Sequence, residues 1–112
     1  MKIPENGKLL RIFIGESDKH DGRPLYEVLV QRFKERGLPG TTVLRGIAGF
    51  GAHARVHTDK ILRLSLDLPI VVEVVADEEQ IQAMLPELDE LIDGGLITLE
   101  RVRVILYRPH ET

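Results

Sequence analysis

The chain has 112 residues, 43% of them apolar and 29% charged, with a formal net charge of −3. This predicts a single globular domain with its own core and argues against nucleic acid as a partner. The absence of cysteine excludes disulfides, thiolate metal sites and cysteine nucleophiles, and the lack of any long apolar stretch predicts a cytoplasmic protein without direct membrane insertion.

The first half of the chain predicts a strand, a helix and a second strand. Lys8–Gly15 is apolar on both of its faces, which is typical of a central strand. A polar turn, Glu16–Arg23, leads to Pro24, which suits the first turn of a helix because a missing N–H costs nothing there. Gly37 is a natural end for this helix. The β-branched start of Thr41–Ala48 predicts the second strand.

The second half predicts a strand, a helix and a final strand. Leu68–Ala76 is an almost continuous apolar run, which indicates a strand covered on both faces. Asp77 and Gln80 form a capping-box pattern at the start of the following helix. Pro86 lies inside that helix and is expected to kink or split it. Ile97–Tyr107 alternates in the manner of a last strand.

This order of elements predicts an α+β domain with a ferredoxin-like βαββαβ fold. In that fold an antiparallel sheet carries both helices on one face. We expect residues 1–112 to form one domain, with 1–7 and 108–112 frayed. The connection between the two middle strands is long for a small domain, and we expect residues 49–65 to form a mobile loop.

The predicted topology brings three connections to one end of the sheet. These are Glu16–Arg23, Gly46–Ser65 and Asp93–Leu96. The sheet face without helices carries apolar side chains on several strands, so we expect self-association to bury it. A closed trimer or a dimer would both do so.

Three glycines, Gly46, Gly49 and Gly51, open the long loop. Their order is G-x-x-G-x-G and no helix follows, so they match neither the dinucleotide fingerprint nor a P-loop. They can offer backbone amides to a phosphate, or they can serve only the conformational freedom of the loop. The sequence leaves both interpretations open.

A pair of arginines, Arg101 and Arg103, projects from one face of the last predicted strand. Two guanidinium groups at this spacing suit a polyphosphate or a carboxylate ligand. The alternative is that they form salt bridges with acids such as Glu73 or Glu100.

The turn after the first strand holds further polar candidates. Glu16 and Lys19 would adjoin a ligand at the loop end of the sheet, Lys19 as a neighbour of phosphate. Ser17, Asp18 and His20 include the residue types of a nucleophilic site, but a triad draws its members from separate elements. We therefore predict no catalytic residues and no enzymatic activity.

The long loop is rich in basic side chains, which would favour contact with an anionic partner. They are His53, Arg55, His57, Lys60 and Arg63. His53 and His57 are four residues apart and, with His20, are an alternative set of metal ligands. The competing interpretation is that they are solvated loop histidines.

Two segments of the chain resemble the PII-like family catalogued as domain of unknown function 190. They are GESDKHDGRPLYEVLV and LRGIAGFGAHARVHTDKILRLSLDLPIVVEVVADEE, in which Gly-Phe-Gly is followed by Ser-x-Asp-Leu-Pro. The resemblance extends from about Lys8 to about Tyr107. It implies a ferredoxin-like subunit in a homotrimer, with a small effector, typically an adenine nucleotide, bound between subunits near the base of the long loop. It also implies a basic pair on the late strand at that site.

Together the residues and the resemblance predict a PII-like signalling protein without a firm cofactor. A small anionic effector, an adenine nucleotide by resemblance, would contact Gly46, Gly49 and Gly51, with charge from Lys19, Arg101 and Arg103. Effector binding would order the 49–65 loop, which would regulate a partner protein such as a membrane transporter. The alternative function is a metal-binding trimer that uses the loop histidines.

Overall fold

The computed structural model describes residues 7–49 and 67–110. The elements in chain order are β1 (Lys8–Gly15), β2 (Lys19–His20), β3 (Arg23–Pro24), α1 (Leu25–Glu35), β4 (Thr41–Arg45), β5 (Pro69–Ala76), α2 (Glu78–Leu91) and β6 (Leu96–Arg101). Apart from the short β2–β3 ribbon inserted before α1, this is the predicted order of strands and helices.

The four long strands form one antiparallel sheet in the order β4-β5-β1-β6. β1 is central and pairs with both β5 and β6. This is the strand order of a ferredoxin-like fold, so the predicted fold class is confirmed.

Both helices cover the same face of the sheet. β1 and β5 alternate with a period of two, so every second residue points into the core. The largest fully buried side chains come from both strands and both helices: Phe33, Leu10, Ile12, Leu29, Ile81, Met84, Leu88 and Val72. Neither helix within residues 7–49 and 67–110 is long and apolar enough to cross a membrane.

The predicted end of α1 and the predicted start of α2 are confirmed, and one of the two effects predicted for Pro86, a split helix, does not occur. Gly37 follows α1 with a φ of +73°, and the Asp77 carboxylate accepts a 2.8 Å hydrogen bond from the Gln80 amide at the start of α2. Pro86 does not split α2, which runs unbroken through it. Both Pro86 and Gln82, whose carbonyl loses its helical partner to the proline, lie on the exposed side, where water can bond to that carbonyl.

Two strands end earlier than their sequence patterns predict. β4 ends at Arg45 and not at Ala48, and β6 ends at Arg101 and not at Tyr107. β6 pairs with β1 as far as Lys8, the first residue of β1, and one further bond of 3.0 Å joins the Val102 amide to the Gly7 carbonyl. The alternating sequence pattern therefore extends beyond the residues that pair in the described part of the chain.

An ion-pair cluster joins the two helices. Arg32 of α1 and Arg36, the residue that follows α1, both bind the carboxylate of Glu87 on α2, with 2.8 Å between Arg36 Nη2 and Glu87 Oε2. The Glu87 side chain is only 16% exposed. The hydrogen bond from Arg32, followed by the charge of Arg36, holds the pKa of Glu87 below its usual value.

A Glu87→Gln substitution is expected to lower the free energy of unfolding at neutral pH more than at acidic pH. A carboxyl group whose pKa is lower in the folded state stabilises the fold above its unfolded pKa, and this contribution is lost as the pH falls through the folded pKa. Urea unfolding of both proteins at about pH 7 and about pH 3 measures the difference. Glu90→Gln, which changes an exposed acid on the same helix, is the control. A difference that is the same at both pH values would contradict the prediction.

Candidate functional site

The three predicted connections meet at one end of the sheet wherever the structure describes them. The Glu16 amide donates to the Leu68 carbonyl (2.8 Å), and the Gly46 amide donates to the Pro69 carbonyl (2.7 Å). On the other side, a Cβ at Gly95 would lie 2.7 Å from the Phe13 carbonyl oxygen. We call this region, consisting of residues 15–19, 45–49, 67–69 and 93–96, the loop end of the sheet.

Gly46 and Gly49 pack closely around Pro69. A Cβ on Gly46 would lie 2.6 Å from the Pro69 Cγ, and one on Gly49 would lie 3.2 Å from the same atom. Gly49 also has a φ of +143°, which disfavours any other residue. Both glycines therefore meet a packing requirement that does not depend on a ligand. Gly51 lies outside the described residues.

Two carboxylates fix the turn after β1. The Asp67 Oδ1 accepts from the Ser17 amide (2.9 Å), and the Asp18 Oδ2 accepts from the Gly15 amide (3.0 Å). A Cβ on Gly15 would lie 2.5 Å from Asp67, so Gly15 makes room for this carboxylate. This contact of Asp67 was not predictable from a local pattern, because the amide that Asp67 binds is 50 residues away in the chain.

Glu16 and Arg45 form a two-pronged ion pair across the loop end. Arg45 Nε lies 2.9 Å from Glu16 Oε2, and Arg45 Nη2 lies 3.0 Å from Glu16 Oε1. Glu16, a predicted ligand contact, therefore already has a cationic partner. Arg45 was not predicted as part of the site, although its position immediately before Gly46 was an available signal.

Lys19 and His20 form β2, in the turn between β1 and α1. Lys19 is exposed, and His20 Nε2 lies 3.4 Å from Asp21 Oδ2. The described part of the chain shows no hydrogen bond between the Ser17 hydroxyl and His20. The placement of Lys19 suits an electrostatic role at the loop end.

Arg101 lies at the opposite end of the sheet. It stands opposite Lys8 at the start of β1, whereas the loop end begins at Gly15. Seven residues of extended chain separate these ends by about 23 Å. One copy of the chain therefore does not bring Arg101, or Arg103 two residues beyond it, to the loop-end glycines.

The acids considered as partners for these arginines bind another residue. Arg11 pairs with both Glu73 and Glu100, with 2.8 Å between Arg11 Nε and Glu73 Oε2. Within residues 7–49 and 67–110, neither Arg101 nor Arg103 has an ion pair. The alternative considered for these arginines, salt bridges with Glu73 or Glu100, is therefore not seen in this part of the chain.

The sheet face without helices, here called the open face, carries a row of apolar side chains beside the loop end. The strand register aligns Leu44, Val71, Phe13 and Leu96 across all four strands. Leu44 and Leu96 at the ends of the row are 48% and 57% exposed. The next row is polar and contains the Arg11 cluster. An exposed row of this kind indicates a surface for association.

The predicted partner-loop residues lie outside the described residues. They are His53, Arg55, His57, Lys60 and Arg63. The same is true of two of the three histidines in the alternative metal set. Among the residues that the structure describes, no group of three His, Asp or Glu side chains is arranged to hold a metal ion.

Residues 7–104 match the family model of domain of unknown function 190, described as "Uncharacterized ACR, COG1993". The chain is 47% identical over 98 residues to a UPF0166 protein of Aquifex aeolicus (strain VF5), covering 88% of this chain and 92% of that protein. It is 40% identical over 93 residues to a UPF0166 protein of Methanocaldococcus jannaschii, covering 82% and 85%. These matches confirm the resemblance drawn from the sequence segments.

Solved structures of a PII-like protein share the fold. CPII, a nitrogen regulatory PII-like protein from Thiomonas intermedia K12, bound to ADP, AMP and bicarbonate, aligns with a TM-score of 0.64. The sequence identity is 18%, and the alignment covers 88% of this chain and 87% of that chain. CPII bound to ADP and bicarbonate aligns with a TM-score of 0.62 at 19% identity, with the same coverage. At these identities the likeness concerns the fold.

Proposed function

The chain belongs to the DUF190 family and has a PII-like ferredoxin fold, and we propose that it is a trimeric regulatory protein that binds an adenine nucleotide between its subunits. The observation that carries this proposal is the placement of the basic pair. The loop end has the converging turns, while Arg101 lies at the far end of the same sheet. A neighbouring copy would supply the arginines that one chain cannot.

The open face provides the surface for this association. Its apolar row crosses all four strands, and burying it between copies removes apolar area from water. The adjacent Arg11 cluster is already paired within the chain, so its charges need no partner from another copy. In a cyclic trimer every copy makes the same contacts, so the open face of each copy is covered.

In the proposed site the nucleotide lies between the loop end of one copy and the arginines of the next. Gly46 and Gly49, which pack against Pro69 at the loop end, would adjoin the ligand through their backbone. Arg101 and Arg103 neutralise the phosphates from the neighbouring copy, and Lys19 adds charge from the turn after β1. Gly51 would extend the same stretch of backbone.

Nucleotide binding would act through the loop that joins β4 and β5. This loop leaves and rejoins the sheet at the proposed site, so a ligand there changes the stability of one loop conformation relative to another. A partner protein that reads the loop, a membrane transporter being one class, would then bind or dissociate. The role of the site in this proposal is regulation and not catalysis.

Isothermal titration calorimetry with ADP and AMP tests the proposal, together with an Arg101→Ala/Arg103→Ala variant. A charge-assisted hydrogen bond contributes about 1.5–3 kcal/mol, so losing even one is expected to weaken ADP binding about tenfold or more. The control is Arg23→Ala/Lys34→Ala, which removes the same charge at exposed positions outside the proposed site.

If the Arg101→Ala/Arg103→Ala variant binds ADP as tightly as the wild-type protein, the two arginines are not part of the nucleotide site. A zinc titration in the same series addresses the alternative function. If the protein binds zinc but binds neither ADP nor AMP, the alternative function, a metal-binding trimer, is favoured over the nucleotide proposal.

A further inference from the structure

The ion pair between Glu16 and Arg45 occupies the position where an anion could bind at the loop end. Arg45 is in register with Ile70, and Glu16 follows Gly15, which is in register with Pro69. Arg45 ends β4 and Glu16 directly follows β1, the two strands on either side of β5, and the ion pair links them across the start of β5. Both prongs of the guanidinium are used, at 2.9 and 3.0 Å.

We propose that Glu16 is an internal competitor for the anionic group of the effector, and that the effector's phosphate displaces it from Arg45. A guanidinium group presents the same fork of N–H donors to a phosphate as to a carboxylate, so one can replace the other without a change in the geometry of Arg45. This inference rests on the proposed function, because it adds Arg45 to the residues that bind the phosphate in that site.

The exposure of the pair makes this exchange accessible. The Arg45 side chain is 55% exposed and that of Glu16 is 32% exposed. Ion pairs in contact with water contribute little to stability, so the displaced Glu16 returns to solvent at small cost. A buried pair could not be exchanged in this way, because separating it would leave an unpaired charge away from water.

The exchange would also affect the two connections at the loop end, because Glu16 lies in the turn after β1 and Arg45 lies directly before the long loop. Arg45 immediately precedes Gly46, where the chain leaves β4 and binds the Pro69 carbonyl. Glu16 begins the turn whose amides bind Leu68 and Asp67. Occupancy of Arg45 by an external anion would therefore release the link between the turn after β1 and the base of the long loop.

Titration with inorganic pyrophosphate and with ADP, followed by the NMR signal of the Arg45 Nε–Hε group and by calorimetry, tests the proposal. Glu16→Gln removes the competitor and is expected to bind pyrophosphate about three- to fivefold more tightly than the wild-type protein. Arg45→Gln is expected to bind about tenfold or more weakly, and Arg45→Lys, which keeps the charge but loses the fork, to lie between. Arg23→Gln, whose side chain bonds to Gln31, is the control and should bind like wild type. Backbone NMR spectra verify that each variant is folded.

The direction of the Glu16→Gln effect separates the outcomes. Weaker or unchanged pyrophosphate binding in that variant would overturn the proposal, as would failure of the wild-type and variant proteins to bind pyrophosphate. ADP binding that is independent of Arg45 would overturn it while leaving the proposed function intact. If the variants bind pyrophosphate as predicted but no protein binds ADP more tightly than pyrophosphate, the displacement of Glu16 by an anion is supported. The proposal that the effector is an adenine nucleotide is then wrong.

Discussion

A Val71→Asp variant is expected to be monomeric at concentrations at which the proposed trimer of the wild-type protein would form. Val71 lies in the apolar row of the open face, in register with Leu44 on one side and Phe13 on the other. Burying an ionised carboxylate there between copies costs on the order of several kcal/mol per copy. Analytical ultracentrifugation measures the change in mass, and calorimetry should show that ADP binding is lost with it.

Two control variants separate association from folding. Ala83→Asp places the same charge on the exposed side of α2 and should leave the trimer intact. Val71→Thr preserves the shape of the valine with much less desolvation cost and should remain trimeric. The prediction is contradicted if folded Val71→Asp has the same mass as the wild-type protein.

The Phe33→Ala substitution is expected to lower the free energy of unfolding by about 3–5 kcal/mol. Phe33 lies on α1 with no exposed surface, in the cluster formed with Leu10, Leu29 and Ile81. Removing its ring loses the burial of a large apolar surface and leaves a cavity that the sheet and two helices only partly fill. Urea unfolding of the protein monitored by circular dichroism measures this change.

Tyr26→Ala on the same helix is the matched control, since both changes replace an aromatic residue of α1 by alanine. Tyr26 is only partly buried and packs at the edge of the core. Its loss is expected to cost less than half as much as that of Phe33. Equal losses for the two variants would show that Phe33 does not occupy the centre of the core.

The fold was predictable because its signals are local or periodic. The alternation in β1 and β5, the capping box of Asp77 and Gln80, and the glycine after α1 each specify structure within a few residues. Element order then leaves few topologies for a domain of this size. The end of β6 was not predictable, because it depends on pairing with β1, and the alternating pattern of its sequence continues beyond the residues that pair.

The details of the candidate site depended on contacts between residues distant in the chain. Topology alone predicted that the turns would converge, and the structure confirms this for the described residues. Arg45 and Asp67 were missed because their partners, Glu16 and Ser17, are 29 and 50 residues away. The packing of Gly46 against Pro69 likewise follows from the pairing of β4 with β5. A local motif carries no information about such contacts.

Mixing two weakly binding variants tests the central claim that each nucleotide site is shared between copies. Gly46→Asp places a carboxylate at the loop end, whereas Arg101→Ala/Arg103→Ala removes the charge from the far end of the sheet. Each variant alone should bind ADP about tenfold or more weakly than the wild-type protein. After both are unfolded together and refolded as mixed trimers, random assembly gives about a quarter of the sites two intact halves. Calorimetry should then recover about that fraction of wild-type binding; no recovery in folded, mixed trimers would contradict a site shared between subunits.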